Sequence, residues 1–258
     1  MLERHGHEVH TFECHSDEIR KKGLLGLVIG AISTPWNHSA ARKMRTAIAK
    51  FGPDVVHAHN TFPMLSPSIF PAAQGVARVL TLHNYRLVCP AAIPMRGGEI
   101  CTLCMDRKSV LSSIRYGCYR GSVLATLPLA VNVALHRRRG TWKHDVETFI
   151  ALTGFQRDRM GKAGIPADKI RVKPNFYPGN PSPVPFGERP ARVVFAGRLS
   201  AEKGVTDLVE AWLSWGPTAP ELRLLGDGPL REELESRASD VSNIRVLGQL
   251  SSDDAQNE

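Results

Sequence analysis

The segment Gly197-Arg198-Leu199-Ser200-Ala201-Glu202-Lys203-Gly204 places two cations between an apolar run and a helical pattern. A helix N-terminus offers unpaired N–H groups and a partial positive charge, and Arg198 and Lys203 beside it suit a diphosphate. The segment is neither GxxxxGK[ST] nor GxGxxG, so ATPase and nicotinamide readings lose their usual motif. Its plain alternative is a solvated turn with ordinary surface cations. A second turn, Leu225-Gly226-Asp227-Gly228-Pro229, reads on its own as a tight connection. His57, His59, His83 and Asn84 follow two earlier apolar runs, and a lone histidine is more often structural than catalytic. Shared position raises all of them, because open α/β sheets bind ligands beyond the carboxyl ends of their strands.

A second constellation is Cys89, Cys101, Cys104 and Cys118, a CxxC pair with one more cysteine on either side. In a reduced compartment such an array in a loop-rich segment suits a tetrahedral structural zinc, the metal replacing a missing core. Free thiols in a packed insertion are the alternative. Cys14 stands apart and is read as inert.

These residues need elements to position them. Residues up to Gly6 read as a helix tail, followed by a strand around Glu8 to Phe12. Ser39 is read as the cap of a helix running to Phe51, with Gly52-Pro53 closing it. Asp54 to Ala58 and Ala77 to Leu82 read as buried parallel strands. An insertion over 85–120 precedes a helix from about Ser122 to Arg139. Then come a strand at Thr148 to Leu152, a helix at Gln156 to Lys162 and a strand at Ile170 to Lys173. Six of the 18 prolines lie between Pro174 and Pro190, a density that suits a semi-rigid linker. Beyond it, Arg192 to Ala196, Leu222 to Leu225 and Ile244 to Leu247 read as strands. Helices are expected at Val205 to Trp215 and Leu230 to Ala238, and Ser251 resembles a further cap. The alternation predicts an α/β protein of two domains, over 1–175 and 191–258, joined by a linker at 176–190.

Composition sets the class. Of 258 residues, 42% are hydrophobic and 22% charged, with a mean hydropathy of -0.18, which excludes disordered and collagen-like chains. The longest apolar stretch, Val123 to Leu135, is interrupted by Pro128 and Asn132 and falls short of the roughly 20 residues that cross a bilayer as a helix. The first residues lack the apolar run of a secretory signal, so a cytoplasmic setting is expected and disulfides are not. The formal net charge is +8. Between Arg96 and Lys143, nine Arg and Lys face only Glu99 and Asp106, a local excess that points to phosphate-bearing partners or an anionic membrane surface.

In their order and spacing these pieces resemble the group 1 (family 4) retaining nucleotide-sugar glycosyltransferases of the GT-B fold, which implies that the two α/β domains are Rossmann-like. The resemblance runs through His5-Gly6-His7-Glu8-Val9, Asp54-Val55-Val56-His57-Ala58-His59, Thr81-Leu82-His83-Asn84-Tyr85-Arg86-Leu87-Val88-Cys89-Pro90, Pro174-Asn175, Gly197-Arg198-Leu199 with Glu202-Lys203-Gly204, and Gly226-Asp227-Gly228-Pro229. It implies that Gly197, Arg198 and Lys203 hold the donor diphosphate and that His83 is the catalytic-site residue at the donor sugar. His57, His59, Asn84, Asn175, Gly226 and Asp227 are expected around the cleft. It further implies a glycan or lipid-linked acceptor on the first domain, no metal requirement for catalysis, and a peripheral setting at the inner membrane face. The family's glycine-rich loop would precede Met1 and its acidic donor motif would follow Glu258. The second domain is therefore expected to be incomplete and transfer by this chain weak. No carboxylate pair is placed for double displacement, which favours attack on the leaving-group face through an oxocarbenium-like state. Two other classes remain open, a non-catalytic remnant and a basic zinc-stapled nucleic-acid module. The latter lacks any recognised nucleic-acid motif, and no nucleic acid is expected as a partner.

Overall fold

The computed structural model describes residues 2–14, 23–176 and 182–258. The chain divides into two compact units, Met1–Tyr177 and Pro178–Glu258. Residues 177–181 of the expected linker lie outside the described residues.

In the first unit, strands β1 (Val55–Ala58), β2 (Ala77–Leu82), β5 (Thr148–Ala151) and β6 (Ile170–Val172) form one parallel sheet in the order β1-β2-β5-β6. Helices α1 (Gly23–Ser33), α2 (His38–Phe51), α3 (Val123–Arg139) and α4 (Gly154–Lys162) accompany it. The cap of α2 is Asn37 and not Ser39. Its side chain accepts from the Ala40 N–H at 2.9 Å, and Gly52 closes the far end with φ 62°. Asn37 prevails because it is also tied down from elsewhere: its N–H donates to the Ser66 hydroxyl and its amide to the Met64 carbonyl. Ser122 caps α3 through the Ala125 N–H, and Gly140 takes the left-handed conformation that ends it.

Two expectations need correction. Glu8 to Phe12 is extended but joins no ladder, and only Phe12 turns toward the core. Strand β1 is an edge and not a buried strand, with Val55 51% exposed. The core instead gathers on β2 and β5, through Leu80, Leu82, Phe149 and Ala151 with Phe70, Trp142 and Met160. Arg78 and Glu147 lock these strands together, Nη2 to Oε1 at 2.5 Å and Nε to Oε2 at 3.1 Å, a bidentate pair whose guanidinium is nearly buried.

The second unit has the parallel order β7 (Arg192–Ala196), β8 (Glu221–Leu225), β9 (Ile244–Gly248) among its described residues. Helices α5 (Val205–Trp215) and α6 (Arg231–Ala238) pack on it, burying Val205, Val209, Leu222, Leu224 and Leu234 completely. A final helix, α7 (Ser252–Asn257), is capped by Ser251.

Candidate functional site

Strands β1 and β2 run parallel with Ala58 opposite Leu80, so their carboxyl ends deliver His57, His59 and His83 to one edge. His59 Nδ1 lies 3.0 Å from His83 Nε2 and His57 Nε2 lies 2.8 Å from the Thr81 hydroxyl. The His57 and His59 rings are 4.4 Å apart between centroids, those of His59 and His83 5.3 Å. Burial pushes the His57 imidazole below its ordinary value, and His59, Lys173 and His83 push it further. Burial, then His83, lowers His59. Both are thus neutral at neutral pH, able to give or take one hydrogen bond each without carrying charge. Asn84 is occupied locally, its Oδ1 accepting from the Arg86 N–H at 2.9 Å.

His59, His83 and Asn84 border a solvent-open cleft whose wall also includes Phe62, Asn132 and Arg86; His57 stands behind it, on Thr81. Arg86 was not singled out as a site residue, although it stands three positions after His83 in the segment that carries the resemblance. Its partners explain why: Phe62 and Tyr119 lie far away in sequence, and their rings are 4.2 and 5.7 Å from its guanidinium carbon.

In the second unit, the loop after β7 is moulded by the turn after β8. The Gly197 N–H donates to the Leu225 carbonyl at 2.9 Å, and the Leu199 N–H to that of Asp227 at 3.0 Å. A Cβ on Gly226 would stand 1.9 Å from the Gly197 carbonyl oxygen, and one on Gly228 would stand 2.3 Å from that of Leu199. Gly226 also has φ 131°, so both contact and conformation require glycine there. The Asp227 carboxylate is exposed, one oxygen accepting from the Gly228 N–H at 2.7 Å and the other facing Arg231 at 4.0 Å. Arg198 and Lys203 are exposed and have no carboxylate ion pair among the described residues. Gly204, at φ 68°, then starts α5, whose first N–H groups follow directly on Lys203. Asn175 is exposed at the end of the first unit.

The insertion brings its cysteines together. The hairpin β3 (Met95–Arg96) and β4 (Glu99–Ile100), turned by Gly97 and Gly98 at φ 59° and 81°, delivers Cys101. Cys89, Cys101, Cys104 and Cys118 all line one small cavity with Pro94, Met105 and Ser113. Burial raises the Cys89 thiol to about 11 and also raises Cys104 and Cys118. The array is convergent but not closed: among the described residues no three His, Cys, Asp or Glu side chains are grouped as a metal site.

No helix among the described residues is long and apolar enough to cross a membrane. The first unit nevertheless exposes Leu25, Leu27, Val28, Ile29 and Ile32 on α1, and Val123, Leu124, Leu127 and Val131 on α3.

The sequence profile of the family described as Glycosyltransferase Family 4 matches residues 1–178. No curated protein sequence matches the chain. Among solved structures, HepE of Anabaena in complex with UDP is 16% identical with a TM-score of 0.50, over 84% of this chain and 53% of that one. The lipopolysaccharide outer core galactosyltransferase WaaB, in its apo form, is 15% identical with a TM-score of 0.45, over 83% and 49%. The chain therefore spans about half the length of the structures it matches. At these identities the likeness speaks to fold, and the α/β architecture with parallel sheets expected for the GT-B type is the one observed.

Proposed function

The chain belongs to glycosyltransferase family 4, and from that premise we propose that it serves transfer of a sugar from a nucleoside-diphosphate donor to a glycan or lipid-linked acceptor, with retention of configuration. One observation carries the donor half: Arg198 and Lys203 are exposed, form no close ion pair among the described residues although the nearby Glu202 carboxylate feels both, and sit on a loop that Gly226 and Gly228 shape from beneath. A diphosphate leaving group gains negative charge as the glycosidic bond breaks. Fixed cations on its oxygens stabilise that state more than the ground state, and they do so without a metal. HepE, whose fold is shared, is seen with UDP, and a donor of that class is the one proposed.

In this reading the first unit takes the acceptor, His83 positions the transferred sugar, and His59 holds the His83 ring through their 3.0 Å contact. The bond from the sugar to the diphosphate breaks through an oxocarbenium-like state, and the acceptor hydroxyl attacks the same carbon on the face the diphosphate leaves, its proton passing to the departing phosphate oxygen. The proposal extends to two accessory features. The four cysteines hold one structural zinc, supported by their convergence on one cavity and by the burial of Cys89 and Cys104, where a thiolate without a cation would be costly. The apolar faces of α1 and α3, with Arg137, Arg138 and Arg139 ending α3, suit peripheral contact with an anionic cytoplasmic membrane surface.

Calorimetric titration of UDP and GDP tests the donor site. Arg198→Ala should weaken binding by about 1.5–3 kcal/mol, the scale of a charged hydrogen bond, and equal affinity in variant and parent would remove the assignment. Salt-sensitive oligonucleotide binding in place of nucleotide binding would favour the nucleic-acid reading.

A further inference from the structure

The cleft of the first unit has a wall of one electrostatic kind. It is lined by His59, His83, Asn84, Arg86 and neutral groups, and no Asp or Glu contributes among the described residues. Arg86 is the cation in it. Its Nη1 donates to the Pro90 carbonyl at 2.9 Å, and its other N–H groups meet no acceptor among the described residues. No carboxylate pairs with it either, although a half-buried guanidinium is ordinarily paired. The side chain is not loose: Phe62 and Tyr119 hold it by cation–π contact, and the Asn84 side chain fixes its backbone. Such a guanidinium, already ordered, with unspent donors in a cleft free of acids, is built to take a planar or tetrahedral oxyanion in bidentate fashion.

We infer that Arg86 binds an oxyanion carried by the acceptor, a phosphate or a carboxylate close to the hydroxyl that receives the sugar. This rests on the transferase reading, which gives the donor diphosphate to Arg198 and Lys203 and leaves a second anion site, in the other unit, to the other substrate. Arg86 lies three residues after His83 on the loop leaving β2, so an acceptor anchored at Arg86 brings its neighbouring oxygen toward the histidine cluster. Neutral His57 and His59 bring no positive charge of their own, so the guanidinium supplies the ionic attraction.

The test uses the full chain without nucleotide and three calorimetric probes: glucose 6-phosphate, glucuronate and glucose. At least one anionic probe should bind more tightly than glucose by about tenfold or more, the scale of a charge-assisted hydrogen bond. The arm that binds identifies the oxyanion as phosphate or carboxylate. Arg86→Gln should reduce that probe to the level of glucose, and Arg86→Lys, a point charge without the fork, should recover only part of the loss. Phe62→Leu leaves every charge in place and should weaken the probe by roughly threefold through loss of the ring that orders Arg86; it guards against an Arg86 variant that fails to fold. Saturating UDP should leave the probe's affinity unchanged. Anionic probes binding no better than glucose, parental affinity in Arg86→Gln, or displacement of the probe by UDP would each overturn the inference. Probe binding through Arg86 in a chain that binds neither UDP nor GDP would overturn the donor reading instead, and leave Arg86 as an oxyanion site.

Discussion

Replacing His136 should alter how the stability of the first unit depends on pH. The side chain is wholly buried in α3. Its Nε2 must donate to the Pro35 carbonyl at 2.9 Å, which leaves Nδ1 to accept from the Thr141 hydroxyl, also at 2.9 Å. Trp36 stacks on the ring with centroids 5.7 Å apart. The neutral tautomer is thus fully satisfied, and a second proton on Nδ1 would oblige the Thr141 hydroxyl to turn and accept, with the new positive charge buried and Arg139 nearby. Burial, with a smaller push from Arg139 and opposed by the Pro35 hydrogen bond, lowers the group from 6.5 to about 4. Between those values the unfolded chain binds a proton that the folded one refuses, so stability is lost as pH falls through that window and is complete above it. A shift of that size corresponds to at most about 3 kcal/mol, and to about 2 kcal/mol by pH 5. Urea unfolding of parent and His136→Gln, followed by indole fluorescence at about pH 7.5 and about pH 5, measures it. Glutamine keeps one donor and one acceptor but does not titrate. The parent should lose about 2 kcal/mol more than the variant on acidification, with other titrating groups cancelling in the difference. Parallel profiles would refute the reasoning.

Protein purified without chelator should contain close to one zinc per chain by elemental analysis, and Cys101→Ser should lose it; metal-free protein with all five thiols free would argue for the packed-thiol alternative. Gly226→Ala forces a Cβ into the Gly197 carbonyl and should cost about 2 kcal/mol or more of stability in the second unit while lowering nucleotide affinity. Unchanged UDP binding in that variant would separate the two loops functionally. Vesicles rich in anionic lipid should co-sediment the chain, and Leu124→Glu with Ile32→Glu should release it. Equal sedimentation of parent and double variant would remove α1 and α3 from the membrane reading.

Much of the sheet was legible because β2, β5, β7 and β9 are short apolar runs ended by turn residues, a pattern that survives whichever neighbours they meet. What remained hidden depends on those neighbours. Val55 is as apolar as Val79, yet one lies on an edge strand and the other between two strands. Asn37 and Ser39 are both good caps by type, and the choice is made by Ser66 and Met64, more than twenty residues on. That Arg198, His57, His59 and His83 stand at or just after strand ends was legible from their place behind apolar runs. Arg86 and His136 were not, since an arginine held by Phe62 and Tyr119, or a histidine satisfied by Pro35 and Thr141, leaves no local pattern in the chain.

The contact between Gly197–Leu199 and Gly226–Gly228 also bears on how such a protein can diversify. Each loop is the mould in which the other is cast, with no room for a single added carbon at two points. An insertion or a larger residue in either would displace both, so neither path can drift independently. Under the proposed donor assignment, new donor preference must then arise from side chains that project away from this seam, on a backbone that stays put. Around Arg86 in the first unit the rings of Phe62 and Tyr119 help set the shape, and side chains can be exchanged with less disturbance than interlocked backbone. If the proposed roles hold, the diphosphate grip is expected to change slowly and the acceptor wall faster.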